Sequence, residues 1–220
     1  MDFETIDILF RSRQTILQIL KAKGYNTKPY EKFGPFEIES MISDKKNDCM
    51  RMNLEREVGE GSTAPAKCIV EYAIVSRVKN RLAGYVSKLI TDEETGELNI
   101  DPATTEIMVV TLEQIGDSFH AEALKQFGGK KVRISFFDAH TLISNPFEHV
   151  LVPKHELIPK ESEEGLLESL RCTKKANLPK IRFHEDIIAR ILGLVPGDIV
   201  KITRPSPISG ETVYYRVCIA

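Results

Sequence analysis

At 220 residues and 42% hydrophobic, the chain can bury one or two ordinary cores. Its formal net charge is −2; from His149 onward there are 11 Lys/Arg against 9 Asp/Glu, and before it 19 against 23. Neither part is the basic body of a protein that holds DNA by itself, so any contact with nucleic acid depends on neighbours. Cys49, Cys68, Cys172 and Cys218 are scattered, with no CxxC pair or Cys/His cluster. That spacing points to free thiols in a reducing compartment, not to a zinc site. Asp2 and Glu4 stand where a signal peptide needs basic then apolar residues, and no apolar run reaches membrane-spanning length. A soluble intracellular protein is expected.

The chain opens with a predicted helix over residues 4–23. Ile6, Leu9, Phe10, Ile16, Leu17 and Leu20 recur at helical spacing, Lys21 and Lys23 suit the C-terminal end, and Gly24 stops it. Arg11 and Arg13 are expected on its polar side. Strand and helix signals then alternate. Met50, Met52 and Leu54 alternate, and residues 68–75 form a buried-strand run. Leu82, Tyr85, Val86 and Leu89 mark a helix, and residues 107–112 another strand. Asp117 or Ser118 can cap a helix carrying Phe119, Ala123, Leu124 and Phe127, with Gly128-Gly129 as its stop. Val132, Ile134 and Phe136 alternate along a last strand. This order predicts an α/β domain with a mostly parallel sheet covered by helices. Residues 57–65 and 91–105 read as exposed loops; the first lacks the Gly-Lys-Ser/Thr of a phosphate cradle. Residues 139–148, with Asn145-Pro146, read as the connection between domains spanning 1–145 and 146–220.

The second domain predicts as small and α+β. Ser162 can cap a short helix with Glu163 and Glu164 in its first turn. Ile187, Ile188, Ile191 and Leu192 form a helical stripe, with Gly193 as a left-handed cap. Pro196-Gly197-Asp198 is turn chemistry, and residues 199–204 and 213–219 are β-branched and aromatic runs that make a closing hairpin.

Catalytic motifs are not evident. The only match to the Asp/Glu-x-Lys of a metal-dependent nuclease is Asp44-Lys45-Lys46, in a polar loop. There is no GxSxG elbow, HExxH helix or nucleotide loop, and the five histidines share no metal-ligand spacing. His155 reads as a ring hydrogen-bonded to backbone, fixing a turn or a subunit contact. Lys201, Arg204 and Arg216 lie on two facing strands, where alternation can put some of them on one face.

The second domain also carries a resemblance. Val152-Pro-Lys-His155, Leu178-Pro-Lys-Ile181, Ala189-Arg190, Gly193-Leu194, Pro196-Gly-Asp-Ile-Val-Lys-Ile202, Arg204 and Tyr214-Tyr-Arg216 resemble the assembly domain of a small archaeal RNA polymerase subunit. The eukaryotic counterpart in that family is the fifth subunit common to nuclear polymerases I, II and III. It adds an N-terminal jaw domain of nuclease-like fold without nuclease activity, beginning with a helix followed by Gly-Tyr, as Gly24-Tyr25 does here. Gly210-Glu211 follows the archaeal pattern, whereas Ile187 after Asp186 and Ile191 depart from the family's usual proline and aromatic. Such departures are compatible with a paralogue dedicated to one polymerase.

The resemblance implies a non-catalytic subunit, in the nucleus or, for polymerase I, the nucleolus, with no cofactor, metal or membrane. Its assembly domain would dock on the largest subunit. The implied contacts are Val152, Pro153, Lys154 and His155 of the turn, Leu178, Pro179 and Arg182 of the next segment, and Lys201, Arg204, Tyr215 and Arg216 of the hairpin. The jaw would lie beside downstream duplex DNA, with Arg11 and Arg13 as weak candidates for its contact. A free transcription regulator using the same docking domain, or a nuclease-like enzyme, is the alternative.

Overall fold

A computed structural model describes residues 3–43, 50–56, 65–74, 78–92 and 97–220. Asp44-Lys45-Lys46, Cys49 and Val75 lie outside them, as do residues 57–64 and 93–96 of the two predicted loops. The chain divides into two compact units, Met1–Asn145 and Pro146–Ala220.

In the first unit, α1 (Phe3–Ala22) is followed by α2 (Pro35–Ser43). Strands β1 (Met52–Glu55), β2 (Lys67–Ala73), β3 (Thr105–Thr111) and β4 (Arg133–Asp138) make one sheet in that order. β1 runs antiparallel to β2, while β2, β3 and β4 are mutually parallel. The parallel steps are made by α3 (Leu82–Ile90) and α4 (Asp117–Lys130), the crossovers that such pairs require. Every residue of β3 is buried, as both faces of a parallel sheet centre demand. Phe119 of α4 meets Phe136 of β4 edge-on at 5.2 Å, fixing helix to sheet.

Several local expectations need correction. α4 has Gly116 as its N-cap without a side-chain bond, so neither Asp117 nor Ser118 caps it. It also runs through Gly128 and Gly129, and Lys131 takes the left-handed turn at φ 58°. Residues 139–142 are not simple linker, since the 3-10 turn Ala139–Leu142 buries Ala139 and Leu142 in the first unit and packs on α1. Arg13 is not on a polar side: it is 3% exposed, with Nη1 donating to the Met50 carbonyl at 3.1 Å. Its guanidinium lies over the rings of Tyr30 and Phe33, at 5.8 and 5.5 Å. The reason is position: Arg13 stands four residues after Leu9 and four before Leu17, on the buried stripe itself.

The first unit also encloses acidic side chains that burial keeps protonated. The Tyr25 hydroxyl lies 2.9 Å from Glu106 Oε1, an oxygen that Lys23 Nζ approaches to 2.6 Å. Burial, then Glu106, push the Tyr25 phenol above its ordinary value of 10.0. Burial likewise raises Tyr72 and the Cys68 thiol. In the second unit burial pushes Cys218 up from 9.0 to about 12. The unfolded chain therefore releases these protons first, so stability present below pH 9 is lost as pH rises. Each group contributes about 1.4 kcal/mol per pH unit between its unfolded and folded values. Among the described residues, three such groups in the first unit against one in the second predict that alkali unfolds the first unit earlier. Circular dichroism followed alongside tyrosinate absorbance checks this; phenol ionisation near pH 10 without loss of structure would refute it.

The second unit holds β5 (Lys154–Leu157), α5 (Lys160–Ser169), β6 (Lys180–Arg182), α6 (Ile187–Leu192), β7 (Ile199–Ser206) and β8 (Gly210–Ile219). Its sheet runs β5-β7-β8-β6, with β7 and β8 as the closing hairpin and β6 parallel to β8. Leu178, Ile199 and Val217 form a core cluster, against which Leu166 and Leu167 of α5 pack. Ser162 is not a cap: α5 begins at Lys160 with Pro159 as N-cap. α6 ends and begins as its sequence dictates. Asp186 Oδ1 accepts from the N–H groups of Ile188 and Ala189 at 2.8 and 3.3 Å, and Gly193 turns left-handed at φ 69°. Asp186→Ala is expected to cost about 1 kcal/mol, read as a shift in the urea midpoint at constant slope.

Candidate docking site

The register of the second sheet decides which side chains share a face. His155 stands opposite Ile202, and Ile202 opposite Tyr214; Val200 faces Arg216, and Arg204 faces Thr212. Strand alternation thus gathers His155, Arg204, Tyr214 and Arg216 on one face, with Ile202 and Ile181 between them. Together with Leu151, Val152 and Pro153 they line a depression of about 460 Å³.

Its chemistry is mixed. The floor is aliphatic: Ile181, Ile188 and Ile202 are 5%, 5% and 8% exposed. The rim is open, with Tyr214 at 48%, and the neighbouring Val150 and Leu151 at 96% and 83%. The His155 ring bonds Pro153, Nδ1 to carbonyl at 2.7 Å, the backbone bond expected of it. A carbonyl only accepts, so Nδ1 is the donor of this bond. The bond holds the Val152-Pro153 turn against the sheet edge. Asp186 also lines the depression, but its Oδ1 is committed to the α6 cap. Among the described residues neither Arg204 nor Arg216 pairs with a carboxylate; Arg216 Nη1 reaches only the Lys180 carbonyl, at 3.4 Å. Two exposed guanidinium groups beside an apolar floor suit a partner surface that brings a carboxylate next to aliphatic side chains.

The remaining candidates do not join this face. Lys201 and Tyr215 pair with one another across the hairpin, on the opposite side of the sheet. Glu156 sits between Lys154 and Lys201 there, 2.5 and 3.8 Å from their Nζ atoms, so both lysines are already answered. Tyr215 packs against the core that contains Leu178, which is 8% exposed. Leu178 therefore helps to hold the domain's core together. Pro179 is exposed, and its carbonyl accepts from Val217 N–H at 2.8 Å. Arg182 forms a bidentate pair with Glu185 at 2.9 Å. Sequence reasoning missed Leu151 and Tyr214 as site residues; Tyr214 could have been found, being two residues from Arg216 and hence on its face.

All of the depression falls within the part of the chain with known relatives at high identity. Residues 144–218 match the model of the RNA polymerase Rpb5 C-terminal domain. The DNA-directed RNA polymerase subunit Rpo5 of Archaeoglobus fulgidus is 51% identical over 72 residues, covering 33% of this chain and 92% of that protein. The chain belongs to the RNA polymerase Rpb5 family. A second archaeal relative, subunit Rpo5 of Pyrococcus abyssi, is 44% identical over 75 residues, 34% of this chain and 89% of its own. The first unit is matched too. The subunit rpabc1 of RNA polymerases I, II and III from Dictyostelium discoideum is 29% identical over 218 residues, 98% of this chain and 100% of its own. The archaeal relatives thus align with the last third, and the Dictyostelium relative with both units.

Proposed function

We propose that this chain is a structural, non-catalytic subunit of a nuclear DNA-directed RNA polymerase, docking on the largest subunit through the face of His155, Arg204 and Arg216. The observation that carries the reading is that arginine pair, exposed and unanswered by any carboxylate among the described residues, over an aliphatic floor within the family-matched segment. The relatives are named as polymerase subunits, which makes other polymerase subunits its partners. The depression recognises rather than reacts: His155 has its Nδ1 committed to backbone, and guanidinium and aliphatic groups bind surfaces. Nucleotidyl transfer belongs to the large subunits.

The first unit serves as the jaw beside downstream duplex DNA. Its parallel β2-β3-β4 core with crossover helices supports a nuclease-like fold put to a guiding use. Arg13 drops out as a phosphate contact because it is buried, leaving Arg11, exposed and 2.9 Å from Asp7. One such arginine in an acidic part of the chain suits weak backbone contact. Native affinity purification of the full chain at moderate salt tests the subunit reading. Equimolar recovery with one set of large polymerase subunits assigns it to that enzyme, in the nucleus or, for polymerase I, the nucleolus; recovery with three sets makes it shared. Recovery alone, or far below equimolar, overturns the reading.

A further inference from the structure

β8 is a long strand with a short neighbour. β6 pairs with it only at Val217, Cys218 and Ile219, whereas β7 pairs with it from Gly210 to Val217. On the β6 side, residues 210–216 consequently have no strand partner among the described residues. Which of their main-chain groups face outward follows from one bond. Val217 N–H donates away from β7, to the Pro179 carbonyl at 2.8 Å, while Cys218 N–H donates toward the β7 side, to Asp198, also at 2.8 Å. In an antiparallel pair these directions alternate, so Tyr215 and Val213 present N–H and C=O outward.

The β5 side of this sheet is blunted and the open stretch of β8 is not. β5 is short and begins with Lys154. Where β7 extends past β5 it carries Pro205, which has no N–H to offer. Along β8 the open stretch reads Gly-Glu-Thr-Val-Tyr-Tyr-Arg, β-branched and aromatic without proline or lysine. Val213 and Tyr214 are 42% and 48% exposed on it. Arg216, beside that edge and on the face of the depression, is ready to take a carboxylate.

We propose that the open edge of β8 receives an extended segment of another polymerase subunit as an added strand, in line with β6. Main-chain bonds to Val213 and Tyr215 hold it, and an acidic side chain on the depression's face pairs with Arg216. The inference rests on the docking reading and says how docking is made. The test uses the tagged full-length chain in native purification. Val213→Pro removes an outward N–H and crowds the edge while leaving the β7 ladder bonds intact; Val213→Thr keeps the N–H and the branched side chain. Recovery of the large subunits is expected to fall about tenfold for V213P and to hold for V213T. Hydrogen exchange adds a readout on the unaltered chain: the Val213 and Tyr215 amides exchange fast alone and slowly in the assembly. Undiminished recovery with V213P, or equal exchange in both states, overturns the added strand while docking stands. If the unaltered chain recovers no polymerase, docking and the added strand fall together. Should V213P melt well below the parent chain, exchange alone decides.

Discussion

Replacing Arg13 by alanine is expected to destabilise the first unit by roughly 3 kcal/mol, among the larger effects of a single substitution. The Met50 carbonyl would lose its donor at 3.1 Å, and an unsatisfied buried acceptor costs on the order of 1–3 kcal/mol. The guanidinium over Tyr30 and Phe33 contributes about 1 kcal/mol more, and the buried methylene stem leaves a void. Working against these is the cost of keeping the charge itself buried, which already pulls the Arg13 pKa below its ordinary value. That opposing effect is why the expected loss stays below the sum. Arg13→Met keeps the stem and should recover roughly half of the loss. Arg11→Ala, removing an exposed pair with Asp7, should stay within about 0.5 kcal/mol. Denaturant midpoints for the three variants check the ordering. If Arg13→Ala melted with the parent chain, the helix would have to present Arg13 to solvent after all, and its role beside DNA would reopen.

Arg13 also shows what could be read from the sequence and what could not. Its spacing from Leu9 and Leu17 was visible, but its charge argued for solvent, and only the tertiary partners Met50, Tyr30 and Phe33 reverse that. Where an element's end depends on adjacent residues alone, the sequence sufficed: Gly193 closes α6 in the left-handed turn that its place after the apolar stripe predicted. Where several residues compete, it did not. Ser162 lost the α5 cap to Pro159, and Gly128-Gly129 continue α4 because a glycine permits a left-handed turn without compelling one. The candidate docking residues divide in the same way. The motif placed them in one small unit, yet separating Arg204 and Arg216 from Lys201 and Tyr215 needs the hairpin register, Ile202 opposite Tyr214. A slip of one residue would exchange the faces.

That separation makes the strongest expectation about assembly a difference between arginines and lysine. Arg204→Glu together with Arg216→Glu is expected to lower affinity for the large polymerase subunits by on the order of a hundredfold or more. Desolvated arginines are frequent interface hot spots, and reversal sets like charges against one another. Both side chains are exposed and unpaired with carboxylates among the described residues, so the thermal midpoint should hardly move. Lys201→Glu changes the charge by as much per residue on the same hairpin but on the opposite face, where Glu156 lies 3.8 Å away. It should leave assembly near the parent level and cost a little stability, since it sets two carboxylates together. Quantified co-purification with parallel melting curves compares them directly. Equal losses for the two changes would mean that net charge, not a face, drives docking. A loss for Lys201→Glu alone would move the contact to the other side of the sheet. Only arginine-specific loss at unchanged stability agrees with a partner whose carboxylate enters the depression floored by Ile181 and Ile202.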